Sequence, residues 1–309
     1  MKKIITLTLN PALDKTISVA QLVPDKKLRS KYAQIEPGGG GINVSRALHK
    51  LGGSSEAVYL SGGYTGKHFE ELLIAEGIHS VALPIECDTR ENFVVVDDSV
   101  NKQYRFGMDG PKVTEFEWQQ CLQYIKNQEE ITYIVASGSL PPGVPSDIFA
   151  QLAVIAKQKK AKLIADTSGD ALRFAVKEGL YLIKPNLDEL SKLNGKERLN
   201  VDEMIGAARK IIYEGGCEVV VVSMGKDGAM LVTKDVKLEV KTPEVTVHST
   251  VGAGDSMVGG MVLALSNNWS LEDILYYGVA AGTSATMNRG TELCKKEDTE
   301  RLFAKMKQQ

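Results

Sequence analysis

Metal and redox chemistry have little to work with in this chain, whose 309 residues include only four cysteines and four histidines. Cys87, Cys121, Cys217 and Cys294 stand tens of residues apart, with no CxxC pair and no histidine cluster beside them. That spacing excludes a zinc site and a disulfide framework, and reduced, buried thiols are the expectation. His49, His68, His79 and His248 are equally scattered, so none is a catalytic candidate. Charge of one sign is missing as well. The 37 basic residues oppose 39 acidic ones, for a net charge of −2, and no block of like charge offers a footprint for nucleic acid or an anionic membrane. A small-molecule partner is expected instead.

Long hydrophobic runs are also absent. The uninterrupted apolar or glycine run at 257–265 is far shorter than the roughly 20 residues a membrane helix needs. Two lysines precede an apolar run at the start, but Thr6, Thr8 and Asn10 interrupt it and no small-residue cleavage site follows. No signal peptide is therefore expected, and the location expected is cytoplasmic. The length is at the upper end of what one core supports, which predicts a single domain over 1–309 carrying a smaller appendage.

What the chain does contain is a recurring alternation. Short β-branched runs, "KIITLTLN", "SEAVYLSG", "ITYIVASG", "AKLIADTS", "LYLIKPN" and "CEVVVVSMG", are separated by segments of helical length. The runs are almost continuously apolar, as strands buried on both faces are, and residues 146–159 and 201–214 show helical periodicity. The pattern predicts an α/β fold with a mostly parallel sheet. Two segments, 12–36 and 86–108, alternate polar with apolar residues and carry turn signals at Pro24-Asp25 and over 97–101. They predict hairpins forming a small antiparallel sheet that stands off the core as a lid. Several of the core strands end in polar or glycine residues, including Asn10, "SGSLPPG", Asp166, "KPN" and "SMGKDG". Ligands of open parallel sheets bind outside the carboxyl ends of the strands, so these loops should line one crevice.

Two glycine-rich helix starts carry the chemistry. In "TVGAGDS" (250–256), glycine would let an anion reach the unpaired N–H groups of a helix N-terminus without meeting a Cβ atom. Asp255 then falls in the first turn, where it can accept a proton from a nucleophile attacking a bound phosphoryl group. A plain cap would account for the acidic residue, but not for glycine on both sides of Ala253 and again at Gly259 and Gly260. In "PGGGGINVSRAL" (37–48), Asn43 stands where a dinucleotide fingerprint needs its third glycine, so dinucleotide binding is excluded. Contact with a polyhydroxyl ligand and tight helix–sheet packing remain equally open for Gly38 to Gly41. No Gly-Lys pair has Walker A spacing. Arg90 and Arg105 read either as solvated residues of the small sheet or as phosphate ligands. Asn186 and Glu189, three apart in "KPNLDEL", read either as a helix cap or as holders of a hydrated magnesium ion.

"PGGGGINVSRAL", "QYRF", "SGSLPPGV", "IADTSGDAL", "IKPNLDEL", "VVSMGKDGA" and "STVGAGDSMVGG" occur in the order and spacing of the phosphofructokinase B family of sugar kinases. The resemblance runs from residue 4 to about residue 300 and implies the ribokinase-like fold, with ATP and Mg²⁺. It implies that Asp255 is the base and that Gly252, Ala253 and Gly254 form the anion hole for the transferring phosphoryl group. Asp14, Gly38, Gly39 and Asn43 match the family's sugar-hydroxyl contacts, and Arg90, Arg105 and Ser139 match positions around the phosphate already on the sugar. Asn186 and Glu189 match the pair that organises Mg²⁺. Lys184, Asn186, Ser223, Gly225 and Gly228 fall beside the nucleotide. The resemblance further implies a homodimer through the lid sheets, with Lys27 and Arg29 reaching the neighbouring subunit's substrate. Within the family, Gly40 stands where 1-phosphofructokinases and tagatose-6-phosphate kinases usually carry lysine, and "AAGTSATMNRGTELC" also resembles the 6-phosphofructokinase branch. The implied reaction is transfer to the 1-hydroxyl of fructose 6-phosphate. The other two kinase activities are alternatives, and a non-catalytic sugar-phosphate sensor is a remote one that an intact Asp255 argues against.

Overall fold

The computed structural model describes residues 2–30, 32–100, 102–288 and 290–308. Its strands are β1 (Lys3–Thr8), β2 (Ala12–Val19), β3 (Ala33–Gly38), β4 (Glu56–Ser61), β5 (Ser80–Pro84), β6 (Arg90–Asp97), β7 (Lys102–Phe106), β8 (Ile131–Ser137), β9 (Lys162–Asp166), β10 (Leu180–Ile183), β11 (Cys217–Ser223), β12 (Ala229–Val232) and β13 (Lys237–Val240). The helices are α1 (Gly40–Lys50), α2 (Gly63–Ala75), α3 (Glu115–Asn127), α4 (Ile148–Gln158), α5 (Gly169–Glu178), α6 (Leu187–Leu193), α7 (Val201–Tyr213), α8 (Ala253–Ser266), α9 (Leu271–Thr286) and α10 (Lys296–Met306). All six strands and both helices read from the sequence are present. The strand β5 and the hairpin β12–β13 are additional.

Nine strands form one sheet in the order β13-β12-β11-β10-β9-β8-β1-β4-β5. Pairing is parallel from β5 to β11, and β12 and β13 close the edge antiparallel. Side chains alternate between two cores, as the period of a strand requires. Ile5, Leu7, Ile134, Ala136, Val220 and Val222 face the layer of α3, α4, α5 and α7, while Ile4, Tyr133, Val135, Val219 and Val221 face α1, α8, α9 and α10. Burial on both faces is why these strands read as unbroken apolar runs. The chain leaves β1 for β4 in one direction and returns through β8 in the other, so the strand order reverses between β1 and β8. That reversal opens a crevice at the carboxyl ends of these two strands.

Helix α8 is wedged between α1 and α9. A Cβ on Gly259 would stand 2.8 Å from that of Ala47, and one on Gly260 would stand 2.8 Å from that of Ala281. These two glycines therefore serve close helix packing, and the sequence argument that enlisted them for ligand binding does not hold. Among the described residues no helix is long and apolar enough to cross a membrane.

The segments 12–36 and 86–108 build the expected small sheet, in the order β3-β2-β6-β7. Its two pairs, β2–β3 and β6–β7, are antiparallel and join through parallel β2 and β6. Asn101, at the end of the expected β6–β7 turn, lies outside the described residues. Register places Asp14 opposite both Glu36 and Asn92, and Val94 opposite Arg105. These side chains share one face, since directly opposed residues point the same way. Ile17, Phe93, Val95, Tyr104 and Phe106 share the other.

Candidate active site

Helix α8 starts at Gly252, whose φ of 71° is left-handed and suits glycine. Asp255 follows in the first turn of the helix, where no side chain caps the N-terminus. Asn43, near the start of α1, donates to Asp255 Oδ2 at 2.9 Å, so the two glycine-rich motifs meet at this carboxylate. Burial pushes the Asp255 carboxyl up to about 7, and the nearby Asp166 carboxylate adds to the rise. The Asn43 amide and Lys184 oppose it without cancelling it. A carboxyl poised there is suited to take a proton near neutrality.

Lys184, 7 % exposed at the end of β10, pairs with Asp166 at the end of β9 at 3.1 Å. Burial disfavours its charge, but Asp166, Asp255 and Glu189 together keep the ammonium charged and raise its pKa. Its Nζ lies 3.5 Å from where a Cβ on Gly254 would stand, so the one cation of this cluster sits beside the opening of α8. Asp166 lies at the crevice, as its place at a strand end predicts, and its pairing with Lys184 is an addition that the sequence does not spell out. Its signal was positional: strands β9 and β10 are neighbours, and their last polar residues must meet.

The first glycine motif resolves into two uses. Gly40 and Gly41 are packing residues: a Cβ on Gly40 would stand 2.4 Å from Ser137 Oγ, and one on Gly41 would stand 2.5 Å from Thr8 Oγ1. Gly39 is left-handed at φ 108° and lies against Thr8 and Pro11. Gly38 faces Asp14, whose Oδ2 is 2.1 Å from where its Cβ would be. Asp14 is held by Asn92, which donates to Oδ1 at 2.9 Å. Burial raises the Asp14 pKa, and the Asn92 and Arg90 contacts moderate the rise. Asn92, which sequence reasoning missed, also accepts from Met108 N–H at 3.1 Å and so ties β6 to the segment after β7.

At the other end of the crevice, Asn10 donates to Ser139 Oγ at 3.1 Å and to the Asp109 carbonyl at 2.9 Å. Arg90 donates to the carbonyls of Asn10 (2.9 Å), Pro11 (3.4 Å) and Met108. These contacts use three of five guanidinium donors and leave two for a ligand. Arg105 reaches from β7 to Thr250 Oγ1 at 3.3 Å, just before α8. Lys27 and Arg29 are exposed in the β2–β3 connection.

Asn186 and Glu189 form a capping box on α6, each side chain accepting the other's N–H at 2.9 Å. The cap is thus real, and it leaves Glu189 Oε1 uncommitted. Burial raises the Glu189 pKa, and Asp166 is the leading carboxylate contributing to the rise. Among the described residues no group of three or more acidic, histidine or cysteine side chains forms a direct metal cage. Asn186 bridges in parallel to Ser223. Gly225 and Gly228 shape the turn into β12: both have positive φ, and a Cβ on Gly228 would stand 1.9 Å from the Val240 carbonyl oxygen.

A row of polar groups runs along the carboxyl edge of a doubly covered sheet, with an acid at a glycine-opened helix start, a setting suited to proton transfer beside a bound anion. The sequence pattern of the pfkB family carbohydrate kinase matches residues 7–298, and the chain belongs to that family. The fold is ribokinase-like, as the resemblance implied. The chain is 43% identical over 305 residues to ATP-dependent 6-phosphofructokinase isozyme 2 of Escherichia coli, covering 98% of this chain and 99% of the relative. The crystal structure of the phosphofructokinase-2 from Escherichia coli in complex with fructose-6-phosphate superposes with a TM-score of 0.94 at 40% identity, covering 99% of this chain and 100% of that one. A 1-phosphofructokinase of Bacillus subtilis is more distant, 32% identical over 98% of each chain.

Proposed function

We propose that this kinase transfers the γ-phosphoryl group of ATP to the 1-hydroxyl of fructose 6-phosphate, giving fructose 1,6-bisphosphate, and that it works in the cytoplasm. The observation that carries the reading is Asp255: a carboxyl held by Asn43, raised to about 7 and set in the first turn of α8. The bond between the sugar O1 and the γ-phosphorus forms as the bond to the β-γ bridging oxygen breaks. Asp255 takes the O1 proton, and the N–H groups from Gly252 to Gly254 with Lys184 meet the charge on the transferring oxygens. Asp14, Gly38, Gly39 and Asn43 hold the sugar hydroxyls. Arg90, Arg105 and Ser139 receive its 6-phosphate, and Lys184, Asn186, Ser223, Gly225 and Gly228 border the nucleotide. The small sheet acts as a lid on the single domain, excluding water as a competing acceptor.

The cluster fits Mg²⁺. Asp166, Glu189 and Asp255 are hard oxygen donors around Lys184, and a bound cation would relieve the burial and repulsion that raise the Glu189 and Asp255 pKa values. With no direct cage, Glu189 and Asn186 would hold the ion through its water shell. Bound Mg²⁺ would neutralise phosphate oxygens in flight.

Substrate choice rests on two supports. The relative at 43% identity bears the 6-phosphofructokinase name, and Gly40 is packed so closely on Ser137 and Gly138 that no side chain fits there. The apolar face of the small sheet, with Phe93 37 %, Tyr104 41 % and Phe106 51 % exposed, supports a homodimer through that face. In such a dimer Lys27 and Arg29 reach the neighbouring substrate. The test is initial rates with fructose 6-phosphate, fructose 1-phosphate and tagatose 6-phosphate in parallel. We expect fructose 6-phosphate to lead in kcat/KM by about tenfold or more, roughly 1.4 kcal/mol of transition-state preference. A lead for either competitor overturns the substrate and leaves the kinase.

A further inference from the structure

One buried network takes no part in the site as described. Arg46 of α1 is 2 % exposed. It donates to both oxygens of Glu76 at 2.7 and 2.6 Å, to the Pro37 carbonyl at 2.8 Å and to Glu36 Oε1 at 3.2 Å. Glu36 belongs to β3 and shares a face with Asp14. Its other oxygen, Oε2, accepts from Gln34 Nε2 at 3.0 Å, within β3, and from the hydroxyl of Thr291, in the segment that follows α9.

That segment touches both halves of the molecule. On one side, the Thr16 side chain of β2 lies 3.6 Å from where a Cβ on Gly290 would stand. On the other, the Gly290 carbonyl accepts from Ser249 Oγ at 2.7 Å. Leu293 Cδ2 comes within 2.5 Å of the Cβ position of Gly252. A continuous path of contacts therefore runs from the strand beside Asp14, through Glu36 and Thr291, to the residues that open α8.

We propose that Glu36 and Thr291 are positioning residues that set the small sheet at a fixed height over Asp255. The inference rests on the sugar-kinase reading of the site. Asp14 and Gly38 present the sugar from the sheet while Asp255 accepts its proton from the core, so the two halves must be registered closely; a shift of about 1 Å costs about 10²-fold in rate. Arg46 and Gln34 hold the Glu36 carboxylate, and the Thr291 hydroxyl ties it to the segment that reaches α8. Removing the buried charge pair would threaten the fold, because it strands an unpaired ion. The hydroxyl of Thr291 can be removed alone.

The experiment compares the wild type with Thr291→Val, which loses the hydroxyl, and Thr291→Ser, which keeps it, all below the lowest melting temperature of the three. In Thr291→Val we expect kcat/KM for fructose 6-phosphate to fall about tenfold, KM for ATP to stay within about twofold, and ATP hydrolysed per sugar phosphorylated to rise about threefold. Thr291→Ser should match the wild type within about twofold. Wild-type kinetics in Thr291→Val, or equal impairment in Thr291→Ser, overturns the proposal. Should the wild type not use fructose 6-phosphate, the substrate reading fails separately, and hydrogen exchange over β3 still decides. Faster exchange in Thr291→Val but not Thr291→Ser supports the role, and equal rates in all three refute it.

Discussion

The two glycine-rich helix starts look alike in sequence and are used differently. At the start of α1, Gly40 and Gly41 are pressed against Thr8, Leu7 and the Ser137–Gly138 backbone, so their missing side chains let the helix sit on the sheet. At the start of α8, a Cβ on Gly254 would find only Lys184, at 3.5 Å. Its missing side chain keeps open ground beside a cation. Glycine of the first kind is a demand of packing, and glycine of the second leaves the space that the proposed anion hole would use. A string of letters does not distinguish them, because the neighbour that decides arrives from another strand.

The largest effect should come from Asp255→Asn at the second start. The amide keeps the shape and cannot accept the proton, so kcat should fall by about 10²–10⁴-fold. KM should change little, as steady-state kinetics will show. A variant retaining most of its kcat would remove Asp255 from the chemistry.

Next in size is a paired substitution that contrasts the two starts. Gly41→Ala puts a Cβ 2.5 Å from Thr8 Oγ1 and 2.6 Å from the Leu7 carbonyl oxygen, so stability should drop by about 1–3 kcal/mol. Gly254→Ala meets no such wall; its stability should stay within about 0.5 kcal/mol while turnover drops. Thermal melts and rates on the two variants separate the roles, and matching melts would erase the distinction drawn here.

The smallest expected effect is on pH. Only the carboxylate form of Asp255 accepts a proton, so kcat/KM should decline as pH falls through about 7. Asn43 stabilises that charged form by donating to it. Asn43→Ala should therefore move the inflection to higher pH, and a profile that does not move would show that Asn43 is no partner of the base.

Much of this was legible in the residues. Strands buried on both faces announce themselves as β-branched runs, and Asp255 stood out because its glycines had no better use in a lone helix. Gly259 and Gly260 misled for the opposite reason: their use was packing against Ala47 and Ala281, helices distant in the sequence. Asn92, Glu36 and Thr291 stayed hidden because each acquires its meaning from a partner on another element. Thr291 and Glu36 are 255 residues apart, and no local spacing encodes such a contact.

The small sheet has one further implication, for how such a chain can change length. Its strands carry Asp14, Asn92 and Arg105 on one face and Ile17, Phe93 and Tyr104 on the other. One residue inserted within β2 or β6 would reverse every side chain beyond it, turning the acids outward and the aromatic rings toward the sugar. The β2–β3 connection, exposed and without regular structure over most of its length, is under no such parity rule. Away from Lys27 and Arg29, changes of length should therefore be tolerated there, while the strands on either side keep their length to the residue.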